Sequence, residues 1–251
     1  MRIWMMVMLV GSLVFGRVSS AQDTDPCVDP NISQYGNWRS EDSQCLLLEV
    51  VSIEVHASYP QELAERSPYA KSVIFDYINE ERRNFWGIGE WAVRPDDESG
   101  NSSMSLNIRS ELFHHSDTIV SVLFTSSWRE DQGRLSNLKT FTFDLQANKT
   151  LTLEDVFVDG VDPYVTLSSL TLASLQKTLG DNLTDAIVRL TVPIPENYAH
   201  WALTESSLLI FFSGYDVIGT GAAIGDTKIA EIPLVDLGVY LKPEFLSAIV
   251  P

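Results

Sequence analysis

Four kinds of residue in this chain could carry chemistry: a glycine series, four histidines, clustered carboxylates and two cysteines. The glycines stand at 219, 221 and 225 in SLLIFFSGYDVIGTGAAIGDTK, directly after an apolar run. A strand feeding such a loop opens many dinucleotide sites, where the N-terminus of the next helix binds the pyrophosphate. Here Gly225-Asp226 interrupts any helix, and the strand-like KIAEI begins at Lys228. A parallel crossover of ten or more residues has no room. The glycines therefore read as a connection between antiparallel strands, and no cofactor is expected.

The histidines are His56, His114, His115 and His200. His114 and His115 are neighbours, so in a strand they face opposite sides and cannot easily share one metal. No H-E-x-x-H and no H-x-x-x-H occurs. His115 with Asp117 is the candidate acid–base pair, against the plainer reading of a histidine in a turn between two strands. The carboxylate pairs Glu80-Glu81 and Glu154-Asp155 fall on helix faces or in loops. Asp96, Asp97 and Glu98 in DDESGN are candidate calcium ligands, although the regular D-x-D-x-D-G spacing is missing. A serine nucleophile in G-x-S-x-G is also missing.

The elements that would position these residues can be read from periodicity. LLLEVVSIEVH, Leu46 to His56, reads as one strand. Ser67-Pro68 opens a helix, with Ser67 as N-cap and Pro68 at the first helical position. Apolar residues recur at helical spacing from Tyr69 to about Asn84, and Arg94 to Ser103 reads as a loop. Met104 to Ile108 alternates. TIVSVLF (118–124) is apolar on both faces except at Ser121, as a central strand would be. TFTFDL (140–145) places Phe141, Phe143 and Leu145 inward and the threonines outward. Thr152 and Asp155 form a capping-box pattern. A helix from about Asp162 to Leu179 presents Val165, Leu172, Leu175 and Leu179, and Gly180 ends it. HWALTESSLLIFF reads as a hairpin and Lys228 to Ile232 as a further strand. Strands come in runs rather than alternating with helices. The expected fold is α+β: an antiparallel sheet, meander plus C-terminal hairpin, packed with two main helices in one domain.

Arg2 and the apolar run Ile3 to Phe15 lead to small residues, with Ser19 and Ala21 before Gln22. This is the pattern of a secretory signal peptide over 1–21. Nothing after Ala21 approaches the length of a membrane-spanning helix, so a secreted, periplasmic or envelope location is expected. In an oxidising compartment the two cysteines, Cys27 and Cys45, predict one disulfide closing the segment 22–45, ahead of a domain from 46 to 251. The formal charge of −17 falls to −19 when Arg2 and Arg17 leave with the leader. Such a surface disfavours nucleic acid and suits a basic protein partner or cations. Asn31, Asn101, Asn148 and Asn182 stand in N-x-S/T sequons, relevant only in a eukaryotic secretory pathway.

Three separated stretches share one further pattern. They are Tyr59-Pro60; IVSVLFTSSW through GRLSNLKTFTFDLQANKTLTLEDVF, Ile119 to Phe157; and LLIFFSGYDVIGTGAAIGDTKIAEIPLVDL, Leu208 to Leu237. In this order they resemble the PdaC/RsiV-like extracellular domain of bacteria, over roughly Leu46 to Leu241. The resemblance implies an α+β fold with an antiparallel sheet. It also implies settings such as a lysozyme-sensing anti-sigma factor ectodomain or the region ahead of a peptidoglycan deacetylase. The chain departs from the pattern before the aromatic strand, where EDQGRLSN carries only Gly133 and no histidine.

The function expected from these readings is a secreted, non-enzymatic, acidic envelope domain that binds a protein such as lysozyme or a cell-wall glycan. An envelope polysaccharide or peptidoglycan hydrolase or deacetylase accessory, with His115, Asp117 or an acidic cluster as the acid–base group, is the alternative. A calcium-binding secreted protein using Asp96, Asp97 and Glu98 is a further one.

Overall fold

A computed structural model describes residue 27 and residues 38–50, 53–92, 104–130, 133–213 and 227–246. The leader 1–21, the Asp96–Glu98 cluster and the glycine series 219–225 lie outside the described residues.

A seven-stranded sheet holds β1 (Trp38–Glu41), β2 (Gln44–Val50), β3 (Ile53–Pro60), β4 (Met104–His114), β5 (Ile119–Glu130), β6 (Gly133–Asp144) and β7 (Lys149–Leu151) in chain order. All neighbours are antiparallel except β3 and β4, which run parallel. Two helices supply that crossover, α1 (Gln61–Arg66) and α2 (Pro68–Ala92). A parallel pair needs a connection of a dozen residues or more, and this one is long enough. Short helices α3 (Leu153–Val156) and α5 (Asp185–Arg189) flank the second main helix, α4 (Pro163–Leu179). A second, antiparallel sheet of β8 (Trp201–Leu203), β9 (Ser207–Phe212) and β10 (Lys228–Pro233) leads into α6 (Leu234–Leu237). The strands on either side of the glycine series, β9 and β10, pair antiparallel, which is the connection expected and not a Rossmann crossover. The chain is a single α+β domain.

LLLEVVSIEVH is a hairpin, not one strand. Leu48 pairs with His56 and Val50 with Glu54. The apolar, β-branched run carries no glycine, proline or asparagine to mark its reversal, so periodicity alone spans the turn.

Helix α2 starts as the sequence predicts. The Ser67 hydroxyl accepts from Ala70 N at 3.1 Å. The helix continues past Asn84 to Ala92, through Gly87 and Gly89, which weaken a helix without forbidding it. Ala70, Ile74, Ile78 and Phe85 are fully buried against the large sheet. Val55, Ala57, Leu106, Ile108, Val122, Phe124 and Phe143 are also buried in this first core.

β5 is buried on both faces. Val122 and Phe124 join the α2 core, while Leu123 joins a small cluster with Ala202 and Phe211 of the second sheet. The polar residue inside the run, Ser121, pairs with Thr142 at 2.9 Å and accepts from Leu203 N at 3.0 Å. Thr140 accepts from Trp201 N at 3.0 Å. Thr140 and Thr142 therefore do not face solvent as strand alternation suggests; the second sheet covers them. Hydroxyls suit this seam because they satisfy backbone N–H groups of the edge strand β8.

Helix α4 is capped by Asp162, whose Oδ1 accepts from Tyr164 N and Val165 N. Its buried stripe is Pro163, Leu167, Thr171 and Leu175, spaced by four. Val165, expected on the inner face, is 59% exposed. Val165, Leu172 and Leu179 recur every seven residues and share a face, but that face lies roughly 100–140° around the helix from the buried stripe.

Glu81 of α2 is buried beside Tyr77 and Ser126 of β5. Burial and the neighbouring charge of Glu80 push its carboxyl above the ordinary 4.5, and the nearby Ser126 hydroxyl only partly offsets this. A raised carboxyl means the folded chain holds a proton the unfolded chain has released. Stability therefore falls as pH rises through 4.5 toward the raised value. We expect Glu81→Gln to flatten that slope and to be more stable than wild type at pH 7. Urea midpoints between pH 4 and pH 8 check this; an unchanged slope contradicts it.

Candidate binding groove

Four pieces of chain meet at one end of the long meander: the β4–β5 turn, the β6–β7 turn, α3 and a C-terminal turn at Pro243–Phe245. Between them lies a groove of about 510 Å³.

Each wall has a local cause. In the β4–β5 turn the Ser116 hydroxyl accepts from Thr118 N (3.3 Å) and Ile119 N (3.0 Å). In the β6–β7 turn Asp144 Oδ1 accepts from Gln146 N (2.9 Å) and Ala147 N (2.8 Å). Asn148 closes that turn at φ 51°, a left-handed conformation asparagine tolerates. At α3 the expected capping box is complete: Asp155 N donates to Thr152 Oγ1, and Asp155 Oδ2 accepts from Thr152 N at 2.9 Å. Lys149 ion-pairs with the other oxygen of Asp155. The C-terminal turn is fastened to the same helix. Lys242 Nζ donates to Asp155 O at 2.9 Å, Lys242 N donates to Val156 O at 3.0 Å, and Phe157 bridges to Leu241.

LTLEDVF is thus chiefly a scaffold. Leu153, Val156 and Phe157 are buried. Glu154 accepts from Tyr164 OH at 2.5 Å. That bond holds Glu154 below the ordinary carboxylate range; burial and the Glu154 oxygen push Tyr164 up to about 12. Burial works to raise the Asp155 carboxyl, but the hydrogen bond and charge of Lys149 and the N–H of Thr152 outweigh it and hold Asp155 ionised. A carboxylate so anchored serves as an acceptor and not as a proton donor.

The groove lining offers Ser116, Asp144, Gln146, Lys149 and Glu244 as polar groups and the largely buried Ile119, Leu151 and Phe245 as apolar ones. Among the described residues Lys149 spends one of its three N–H donors, on Asp155. Mixed donors and acceptors in one groove suit a hydroxyl- and amide-rich ligand better than a purely apolar or singly charged one.

The predicted site residues fall around this groove unequally. His115 is buried (2% exposed), and Thr204 O accepts from its Nδ1 at 2.9 Å. His114 faces out and lies 3.4 Å from Glu62. The opposite orientation of the two neighbours is the one expected. Asp117 is exposed, and its carbonyl accepts from Arg66. No hydrogen bond joins His115 to Asp117 among the described residues, so the fold places the two in one turn without coupling them. Among the described residues no three histidines, cysteines or carboxylates come together as a metal site. Cys27 and Cys45 are joined, as predicted, in a fully buried disulfide with a Cα–Cα distance of 5.2 Å. Lys149, Lys242 and Phe245 were not legible as site residues. The groove joins segments over 90 residues apart, and only the capping box between Thr152 and Asp155 marked the place.

No family model matches the chain. The fold is that of DUF3298-family proteins. A DUF3298-family protein from Pseudomonas aeruginosa PAO1 superposes with a TM-score of 0.52 at 16% identity, over 82% of this chain and 89% of that one. A member of the same family from Bacteroides fragilis gives 0.50 at 12%, over 85% and 98%. In sequence the chain is similar to the peptidoglycan-N-acetylmuramic acid deacetylase PdaC of Bacillus subtilis (strain 168), 25% identical over 138 residues. That match takes in 54% of this chain but only 29% of PdaC. Fold and sequence likeness agree with the PdaC/RsiV-like resemblance read from the three stretches. No helix among the described residues is long and apolar enough to cross a membrane.

Proposed function

We propose that the protein is a secreted, non-enzymatic domain of the cell envelope that binds cell-wall glycan in the groove between Ser116, Gln146, Lys149 and Phe245. The observation that carries this reading is the groove lining: amide, hydroxyl, carboxylate and ammonium groups beside the apolar Ile119, Leu151 and Phe245. A peptidoglycan strand presents hydroxyls, N-acetyl amides and carboxylates, the complement of that set. The likeness to PdaC, a protein named for acting on N-acetylmuramic acid in peptidoglycan, supports the same ligand class. The buried disulfide suits an oxidising compartment.

The strongly acidic composition supports a second reading, a basic protein partner such as lysozyme. The two separate experimentally. Gln146 is exposed, and its side chain makes no hydrogen bond among the described residues. We expect Gln146→Trp to fill the groove without unfolding the chain and to weaken binding of soluble peptidoglycan fragments at least about tenfold, near 1.4 kcal/mol. Binding to lysozyme that is salt-sensitive and indifferent to Gln146→Trp supports the second reading instead.

A further inference from the structure

Asp144 and Lys149 stand opposite each other in the β6–β7 hairpin, as the last register pair before its turn. Opposite charges so placed attract, because Cα atoms directly across an antiparallel pair are only about 4.5–5.5 Å apart. Lys149 turns instead to Asp155, whose other oxygen accepts from Thr152 N at 2.9 Å. Asp144 is held from its own side: Oδ1 accepts from Gln146 N (2.9 Å) and Ala147 N (2.8 Å). Its Oδ2 has no hydrogen bond and no ion pair among the described residues. Both side chains line the groove. The hairpin therefore presents a carboxylate and an ammonium, each fastened at one point. One oxygen of Asp144 and two N–H donors of Lys149 are left for a ligand. The other charged groups of the lining do not complete either one. Lys242 donates to Asp155 O at 2.9 Å and stands 3.8 Å from Asp159, and Glu244 adds a further carboxylate. A lone anion would meet these carboxylates, and a lone cation would leave Lys149 unmatched.

We propose that Asp144 and Lys149 form a subsite for an α-amino-acid head group, an ammonium and a carboxylate on one carbon. Asp144 Oδ2 accepts from the ammonium, and Lys149 Nζ donates to the carboxylate. A sugar hydroxyl also donates to Asp144, but it brings no charge, so the Coulomb attraction that favours a zwitterion is missing. The inference rests on reading the groove as a peptidoglycan site and deepens it. Peptidoglycan carries stem peptides on its glycan, and a diamino acid in an uncrosslinked stem keeps one such head free. Crosslinking acylates that ammonium and removes its charge. The groove then reads uncrosslinked stems beside the sugar. A diamino acid free in solution carries the same head, so the two sources share one chemistry.

The test uses the full secreted chain and reads affinity by calorimetry. The first probes are a soluble muropeptide whose diaminopimelate head is free and the same muropeptide with that ammonium acetylated. The others are diaminopimelate itself, pimelate, which lacks the ammonium groups, and pentane-1,5-diamine, which lacks the carboxylates. We expect the wild type to bind the free-headed muropeptide at least about tenfold more tightly than the acetylated one, the worth of one charged hydrogen bond. Asp144→Asn keeps the Oδ1 that holds the turn and removes the charge. We expect it to melt like wild type and to bind the two muropeptides equally. A variant that melts lower yet still prefers the free head shows a merely structural Asp144 and overturns the inference. Equal binding of the two muropeptides by the wild type overturns it too, with the glycan reading left standing. So does measurable binding of pimelate or the diamine that is as tight as that of diaminopimelate. Free-headed muropeptide bound more tightly than diaminopimelate supports the subsite with the cell wall as source. Diaminopimelate bound at least as tightly supports it with the free amino acid as source. Wild type that binds none of the probes overturns both readings.

Discussion

Tyr59→Ala lowers the unfolding free energy by about 3–5 kcal/mol, the range for deleting a buried aromatic ring. Tyr59 is fully buried at the end of β3. Its ring stands edge-on to Trp38 of β1 (5.5 Å) and to Phe75 of α2 (5.2 Å), and these two are 4.7 Å from each other. One residue therefore joins the sheet edge to the main helix. Pro60 follows as the N-cap of α1, so the chain leaves the strand at a fixed angle. This is the physical content of the Tyr59-Pro60 pair. The effect should appear as a lower urea midpoint with an unchanged slope. A loss below 1 kcal/mol would mean that the three-ring cluster is not what anchors α2.

The second large effect is at the disulfide. Cys45 lies in β2, opposite Tyr59 on β3, so the link to Cys27 ends in the same cluster. The bridge spans 18 residues of sequence. Closing a loop of that size stabilises by about 3 kcal/mol in the chain-entropy account. The double variant Cys27→Ser with Cys45→Ser should lose about that much, plus the cost of two buried hydroxyls. Because both sites touch one cluster, adding Tyr59→Ala should cost less than the sum of the separate losses. Strict additivity of the two would show that the bridge and the rings act independently.

Much of this fold was legible because local rules and tertiary packing agree. Ser67-Pro68, Thr152 with Asp155, and Asp162 with Gly180 each mark a helix end that the structure retains. The two-sided apolar run at β5 announced a strand covered on both faces, and Ser121 within it serves a backbone N–H of the second sheet. Where the reading failed, a distant element decided. The reversal inside LLLEVVSIEVH has only Ser52, the weakest of the turn formers, to mark it; pairing of β2 with β3 imposes it. Thr140 and Thr142 read as solvent-facing because nothing local announces the sheet above them. Val165 read as core because it shares a seven-residue step with Leu172 and Leu179, whereas packing against β10 selects the stripe Leu167, Thr171 and Leu175 on another face.

The site was legible in part. His115 was singled out for proton transfer, from residue type and closeness to Asp117. In the structure its ring is buried and bonded to Thr204, and no hydrogen bond joins it to Asp117 among the described residues. Neither the groove nor its lysines could be found, because Lys149 and Lys242 meet at Asp155 only after the C-terminal turn has docked.

The glycan reading stands or falls on a titration of soluble peptidoglycan fragments into the wild-type chain and into Gln146→Trp. The account predicts saturable binding by the wild type and binding at least about tenfold weaker in the variant. Equal affinity of the two proteins, or no binding by the wild type at millimolar fragment, would contradict it.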